Sequence, residues 1–219
     1  PERAEMALES AWSHLVLEEE GIVLLFQPPF DKSEPSPGYI KGYPPGIREN
    51  GGQYTHAALW LAIAKAQSGD GTRAVKILRM LNPIEHARDP ESVWRYGVEP
   101  YVVAADVYRL PGWNGHGGWS WYTGSAAWMY RAWVEEILGL KIRGETMQLD
   151  PVIPDWWDGF QMSYRHGEAL YEIEIENPQH FERGVIWVEM DGKRIKDGLI
   201  TLDQTLVKHH IIVRMGPVS

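Results

Sequence analysis

Tyr171-Glu172-Ile173-Glu174-Ile175-Glu176 alternates apolar and acidic residues without a break, the period of two that places one face of a strand in a core and the other in water. Working outward from it, Val185 to Met190 is a second such run and ends at Asp191-Gly192, a pair suited to a two-residue hairpin turn. Arg165-His166-Gly167-Glu168 reads as another tight turn on the other side. Short strands at this spacing predict an antiparallel β-sandwich of about 70 residues. The period of two begins after Gly144, and Asp150-Pro151 and Ile153-Pro154 interrupt any helix near the junction.

Ahead of that point the period is helical. Ala4, Ala7, Leu8, Ala11, Trp12, Leu15 and Val16 recur on one helix face between Glu2 and Glu20, and Gly21 ends the pattern. Helical spacing returns over 54–67, 72–81, 99–108 and 125–138, with loops rich in Gly, Pro or Asn between the later segments. The segment from Gln27 to Gly52 is dense in Pro and Gly and longer than an ordinary connection, as functional loops are. The expected class is therefore α+β: helices with long loops over 1–143, and a sandwich over 144–219.

Composition removes several function classes. Net charge is −9 and no Lys/Arg run forms a phosphate-tracking stripe, which excludes nucleic acid as an expected partner. No cysteine is present, so disulfides and thiolate chemistry are out, and the eight histidines show no metal-site pairing. No apolar run approaches the roughly 20 residues of a membrane span. The chain starts at Pro1 directly ahead of a helical stretch, so it is expected to be a piece of a longer protein.

Two segments carry chemistry. In Gly115-His116-Gly117-Gly118-Trp119-Ser120-Trp121-Tyr122-Thr123-Gly124-Ser125, a Gly-rich aromatic loop feeds into the start of a helix. Unpaired N–H groups and the positive dipole end make such a start an anion site, with Thr123 as hydroxyl donor and Gly124 allowing close approach. An ordinary Thr helix cap with a Gly chosen for packing fits the same spacing. In Gly42-Tyr43-Pro44-Pro45-Gly46-Ile47-Arg48-Glu49-Asn50-Gly51-Gly52-Gln53-Tyr54-Thr55-His56, a rigid loop carries Arg48, Glu49 and Asn50 into a helix whose first turn bears His56. A phosphate there would favour imidazolium and accept its hydrogen bond, while a core histidine bonded to a carbonyl is the plainer alternative.

Together these segments resemble the inverting cellobiose-type phosphorylases of glycoside hydrolase family 94. The resemblance runs through Glu49-Asn50-Gly51-Gly52, His56, Glu99-Pro100-Tyr101, Thr123 to Tyr130 and Leu149-Asp150-Pro151-Val152-Ile153-Pro154. It implies the last helices of an (α/α)6 barrel followed by a jelly-roll-like sandwich. It also implies phosphate binding by His56, Thr123 and Gly124 and a sugar contact by Arg48, with Glu49, Asn50 and Glu99 either touching sugar or only shaping the loops. Within the family, Leu81 to Ala87, Val102 to Tyr108 and Gly118 to Tyr122 look most like the C-terminal region of cyclic β-1,2-glucan synthases, which makes a β-1,2 linkage the expected one.

The family's acid lies in a Gly-Asp-Trp-Asn-Asp-like motif well ahead of the segment matching His56. Asp155-Trp156-Trp157-Asp158-Gly159 is similar only on the surface, since it follows the last barrel helix and fits the entry to the sandwich. No catalytic acid is therefore assigned, no metal or cofactor is expected, and inorganic phosphate is the co-substrate. Expected partners are a β-glucan oligosaccharide, phosphate, the N-terminal portion of the same protein and, for assembly, a homodimer. A cytoplasmic location is expected for this region, with its parent anchored in the inner membrane. A noncatalytic glucan-binding module and a water-using hydrolase on the same barrel are the alternatives.

Overall fold

A computed structural model describes residues 2–217. Helix α1 (Glu2–Leu15) leads into the short hairpin β1 (Val16–Leu17) and β2 (Ile22–Val23), followed by a long loop holding a 3-10 turn at Gly38–Gly42. Strand β3 (Gln53–Tyr54), helices α2 (Thr55–Ser68), α3 (Gly71–Met80) and α4 (Pro90–Tyr96), strand β4 (Asp106–Val107) and helix α5 (Thr123–Arg131) complete the front half. Helix α5 runs on as a π-helical segment, Ala132–Ile137, in which Leu138 N–H reaches the Trp133 carbonyl. Strands β5 (Leu140–Arg143), β6 (Thr146–Leu149), β7 (Gly159–His166), β8 (Ala169–Glu176), β9 (Val185–Met190), β10 (Lys193–Ile195), β11 (Leu199–Thr201) and β12 (Lys208–Met215) follow. The chain is α+β. No helix among the described residues is long and apolar enough to cross a membrane.

Two compact units divide it. The first runs to Ala64 and takes in Lys76–Arg131, and the second joins Lys65–Val75 to the chain from Ala132 onward. The expected division at Gly144 differs from this on two counts. Gly144 (φ +60) is the turn of the β5–β6 hairpin, which already begins at Leu140. Residues 65–75 are tied to the strands by the Thr72 N–H bond to Glu182 and the Arg183 bond to the Gln67 carbonyl.

In the first unit, Ile22, Leu24, Tyr96, Ala104 and Val107 form a core against which Leu15, Leu17 and Val98 pack. Three expectations are corrected here. The first helix stops at Leu15 rather than near Glu20, because Val16–Leu17 turns back through Gly21 (φ +67) to pair with Ile22–Val23. The helix expected over 99–108 is absent. Pro100 offers no N–H, and the backbone instead pairs with other loops: Ala105 N–H with Trp119 O, Tyr108 N–H with His116 O, and Ala105 O with Thr55 N–H. Conversely, α4 forms where only loop was expected. Asp89 caps it by accepting from Ser92 N–H, Pro90 opens it, and Gly97 (φ +66) closes it in the left-handed region.

In the second unit the five strands order β10-β9-β12-β8-β7, and a three-stranded sheet orders β11-β6-β5. The turns at Asp191-Gly192 and within Arg165-His166-Gly167-Glu168 stand as expected, the second at Gly167-Glu168, with Asp191 at φ +50 and Gly192 at φ +76. Tyr171, Ile173 and Ile175 of β8 are buried with Ile211 and Val213 of β12, while the glutamates between them face outward. The sheet is not wholly antiparallel: β8 and β12 run parallel from Lys208↔Leu170 to Arg214↔Glu176. Local alternation sets which side chains are buried but says nothing of strand direction, and β9 to β11 supply the long crossover a parallel pair needs.

His86 gives the first unit an acid limit. It bonds the Met80 carbonyl at 2.7 Å and stacks on Tyr96 at 4.6 Å. Burial holds its pKa below the usual histidine value, with the Met80 bond opposing. A lowered histidine contributes stability that is complete above its unfolded pKa and lost as pH falls through the folded one. Urea midpoints measured from pH 7 down to pH 5 should therefore drop more for the wild type than for His86→Gln, and equal drops would remove His86 as the cause.

Candidate functional site

The site of the first unit is built on a tight loop. Gly46 N–H donates to Asn50 O at 2.8 Å, Asn50 N–H to Ile47 O at 2.9 Å and Gly52 N–H to Arg48 O at 3.2 Å. Arg48 sits at its tip with φ +46, a conformation that residues other than glycine seldom adopt. Gly46 is at φ +90, and a Cβ there would stand 1.9 Å from the Arg109 carbonyl oxygen. Asn50 is fully buried. Its Oδ1 accepts from Phe30 N–H at 2.7 Å, and its Nδ2 donates to Phe30 O at 2.8 Å and Tyr43 O at 2.7 Å.

The loop hands over to β3, which pairs with β4 so that Gln53 faces Val107 and Tyr54 faces Asp106. Gln53 anchors the ladder by accepting from Val23 N–H at 3.0 Å. Helix α2 then begins, placing His56 in its first turn with its ring edge-on to Tyr54 at 4.8 Å and to Trp60 at 5.0 Å. Trp60 meets Trp128 of α5 at 5.8 Å, and the Tyr54 hydroxyl shares a hydrogen bond with Tyr122. Burial, then the Glu49 charge and Tyr122, raise the Tyr54 pKa. Two aromatic links thus join the surroundings of His56 to residues on either side of Thr123 and Gly124.

Thr123 and Gly124 are exposed in the first turn of α5. Ala126 N–H already reaches the Tyr122 carbonyl, so Thr123 lies inside the helix rather than ahead of it. Among the described residues no helix-capping bond from its hydroxyl is present. A Cβ on Gly124 would meet only Tyr122 Cε1, at 3.8 Å, so packing within the chain does not require a glycine there.

Asp106 is fully buried. Its Oδ1 accepts from Trp119 N–H at 3.1 Å, and its Oδ2 lies 3.7 Å from Arg48 Nε. Burial raises its pKa above the ordinary carboxylate value, against the Trp119 bond and the Arg48 charge. Among the described residues, the buried side-chain polar atoms without a hydrogen-bond partner are Glu49 Oε2, His56 Nδ1, Asp106 Oδ2 and Ser125 Oγ. Each such atom costs about 1 to 3 kcal/mol unless something outside the chain answers it. All four lie on the loop, the ladder and the two helix starts just described.

Of the expected residues, His56, Thr123, Gly124, Arg48 and Glu49 belong to these elements, and His56 Nδ1 and Glu49 Oε2 are without partners. Asn50 spends every polar group on holding the loop. Glu99 lies at the surface, where its own backbone N–H, then Trp121 Nε1 at 2.9 Å and Ser120, hold its pKa below the usual range. Asp106, Tyr54, Trp60, Tyr122 and Ser125 were given no role by sequence reasoning. A lone charge inside Val102-Val103-Ala104-Ala105-Asp106-Val107 was the available signal for the first. Asp155 belongs to the second unit, where its carboxylate accepts from the Thr72 hydroxyl at 3.4 Å and its carbonyl bonds His180.

Residues 1–139 match the model of the Glycosyl hydrolase 94 superfamily, catalytic domain. The chain belongs to that superfamily. The cyclic beta-(1,2)-glucan synthase NdvB of Rhizobium meliloti (strain 1021) is 47% identical over 174 residues, covering 80% of this chain and 6% of that protein. The N,N'-diacetylchitobiose phosphorylase of Vibrio proteolyticus is 30% identical over 196 residues, covering 89% of this chain and 24% of its own. The solabiose phosphorylase of Paenibacillus borealis is 28% identical over 195 residues, covering 88% and 25%. The chain of this glycosyl hydrolase 94 member therefore spans a quarter or less of the length of these relatives.

Proposed function

We propose that this chain is the phosphate-holding part of an inverting glycoside phosphorylase acting on β-linked glucan, with the β-1,2 linkage favoured by its likeness to NdvB. Its helices are read as the last of an (α/α)6 barrel and its sheets as a jelly-roll-like sandwich. His56, Thr123 and Gly124 hold phosphate, and Arg48 and Glu49 face the sugar. The observation that carries this reading is that the unpartnered buried polar atoms among the described residues fall on the loop, the β3–β4 ladder and the starts of α2 and α5, the segments that bear the expected site residues. Nitrogen and hydroxyl groups (His56, Ser125) stand toward the helix starts, where a phosphate finds donors. On the loop side, Glu49 leaves a carboxylate oxygen for a sugar hydroxyl beside Arg48, while buried Asp106 faces Arg48 itself.

In the reaction so read, a phosphate oxygen attacks the anomeric carbon opposite the glycosidic bond, that bond breaks, and an acid delivers its proton to the leaving oxygen. Sugar 1-phosphate and a shortened glucan result, with inversion. Phosphate arrives as an anion, so no base is needed, and the chain's task is to hold it in line at low entropic cost. Asp155 is engaged elsewhere, so the acid is assigned outside this chain, and the chain alone is expected to release no sugar 1-phosphate. Product analysis of the longer enzyme with and without phosphate separates phosphorolysis from hydrolysis.

Gly124→Ala tests the phosphate reading against a purely structural one. Alanine is favoured over glycine inside a helix by about 0.5 to 1 kcal/mol, and its Cβ has room, so the unfolding midpoint should hold or rise. Phosphate affinity, read by calorimetric titration, should fall because the methyl group occupies the path of the anion. Thr123→Val should weaken phosphate without lowering the midpoint, since no cap is lost. Undiminished phosphate binding in both variants, against a binding wild type, would end the assignment and leave a glucan-binding module as the reading to pursue.

A further inference from the structure

We propose that Asp106 is a positioning residue that aims Arg48 at the sugar, by fixing its guanidinium between a buried carboxylate and the indole face of Trp119. The inference rests on the reading of Arg48 as a sugar contact and adds to it the group that sets its direction. Beside a hydrogen bond with Tyr43, three further restraints meet on this side chain. The backbone of Arg48 is held at φ +46 by the loop. Its Cζ lies 4.1 Å over the Trp119 ring, which sets the plane of the guanidinium. Its Nε lies 3.7 Å from Asp106 Oδ2, which sets the rotation within that plane.

Asp106 is itself fixed from both sides. Its Oδ1 takes the Trp119 N–H, its backbone pairs with Tyr54, and its carbonyl accepts from Gly118 N–H at 2.8 Å. Gly118 is required for this: a Cβ there would stand 2.5 Å from both carboxylate oxygens. The same carboxylate therefore locks the Trp119 backbone and orients the cation resting on the Trp119 ring.

A pair present only for stability would close its hydrogen bond. Here Arg48 Nε stays beyond hydrogen-bond distance, Oδ2 has no hydrogen-bond partner, and Asp106 is fully buried. Buried charges seldom stabilise a fold even when well bonded, and a left-handed arginine adds backbone strain. Strain and an open buried pair at one residue fit a side chain held ready for a ligand. The Arg48 side chain keeps 22% exposure, so part of its N–H edge remains accessible.

The test uses Asp106→Asn, Arg48→Gln and the double variant in the longer enzyme. Asparagine keeps the acceptor for Trp119 N–H and removes the charge beside Arg48. Each single change should raise the KM for glucan on the order of 10-fold, the double should be no worse than Arg48→Gln alone, and the KM for phosphate should stay within about twofold. Additive losses, or a loss falling on phosphate, would overturn the proposal. A second readout needs no activity: the 15N guanidinium resonance of Arg48 in this chain should be displaced by the Trp119 ring and return toward the free arginine position in Asp106→Asn. A resonance that does not move on that substitution overturns the positioning role, whatever the enzyme assay shows. Wild-type enzyme without phosphorolysis, but with an Arg48 signal that moves and glucan binding that weakens in Asp106→Asn, would sink the phosphorylase reading and keep this one.

Discussion

His56→Ala in the longer enzyme is expected to raise the phosphate concentration needed for half-maximal rate by about 10- to 150-fold, while glucan binding without phosphate changes little. The range follows from losing one hydrogen bond to a charged group, about 1.5 to 3 kcal/mol, at 1.4 kcal/mol per tenfold. The selectivity matters more than the size. His56 Nδ1 is buried without a partner, and the ring meets Tyr54 and Trp60 edge-on. A histidine present for packing would instead cost stability when truncated, through the space left between those two rings, and would burden both substrates alike. Initial rates over a matrix of phosphate and glucan concentrations, with an unfolding midpoint for each protein, separate the two outcomes.

Asn50→Ala is expected to have the largest effect on stability, about 3 to 5 kcal/mol. It strips partners from Phe30 N–H, Phe30 C=O and Tyr43 C=O around a fully buried side chain. For a domain of this size that is a fall of roughly 10 °C in the midpoint. Phosphate affinity per folded molecule should survive, since Asn50 has no polar group left for a ligand. Loss of sugar or phosphate binding at an unchanged midpoint would favour the substrate contact over loop shaping at Asn50.

Much of the second unit could be read in advance, because alternation at Tyr171, Ile173 and Ile175 is a local signal and burial follows it directly. The parallel pairing of β8 with β12 could not be, since each strand's period is the same whichever way its neighbour runs. The first unit divides in the same manner. Helices α2 and α3 are legible from their apolar spacing, and α4 carries its signal in the cap residues Asp89, Pro90 and Gly97 rather than in apolar spacing. The stretch from Glu99 to Tyr108 has helical spacing too, yet its N–H and C=O groups find better partners in Thr55, His116 and Trp119, far along the chain.

The candidate site shows the same limit. His56, Thr123 and Gly124 stand out because residue type and helix start coincide in the sequence. Asp106 does not, because a carboxylate becomes telling only once it is buried without a partner, and its burial depends on the β3–β4 ladder and the Gly118 contact. The difference between Asn50 and Glu49, neighbours in one motif, likewise lies in which carbonyls surround each side chain.

The most direct test of the phosphate site is a titration of this chain with inorganic phosphate, followed by 15N NMR at the Gly124 amide and the His56 imidazole. The account predicts that both signals move together along one saturable curve, that Thr123→Val shifts the curve to higher phosphate, and that chloride at equal ionic strength does not reproduce it. Signals that stay still, or that move at unrelated concentrations, would contradict a single site made by the starts of α2 and α5.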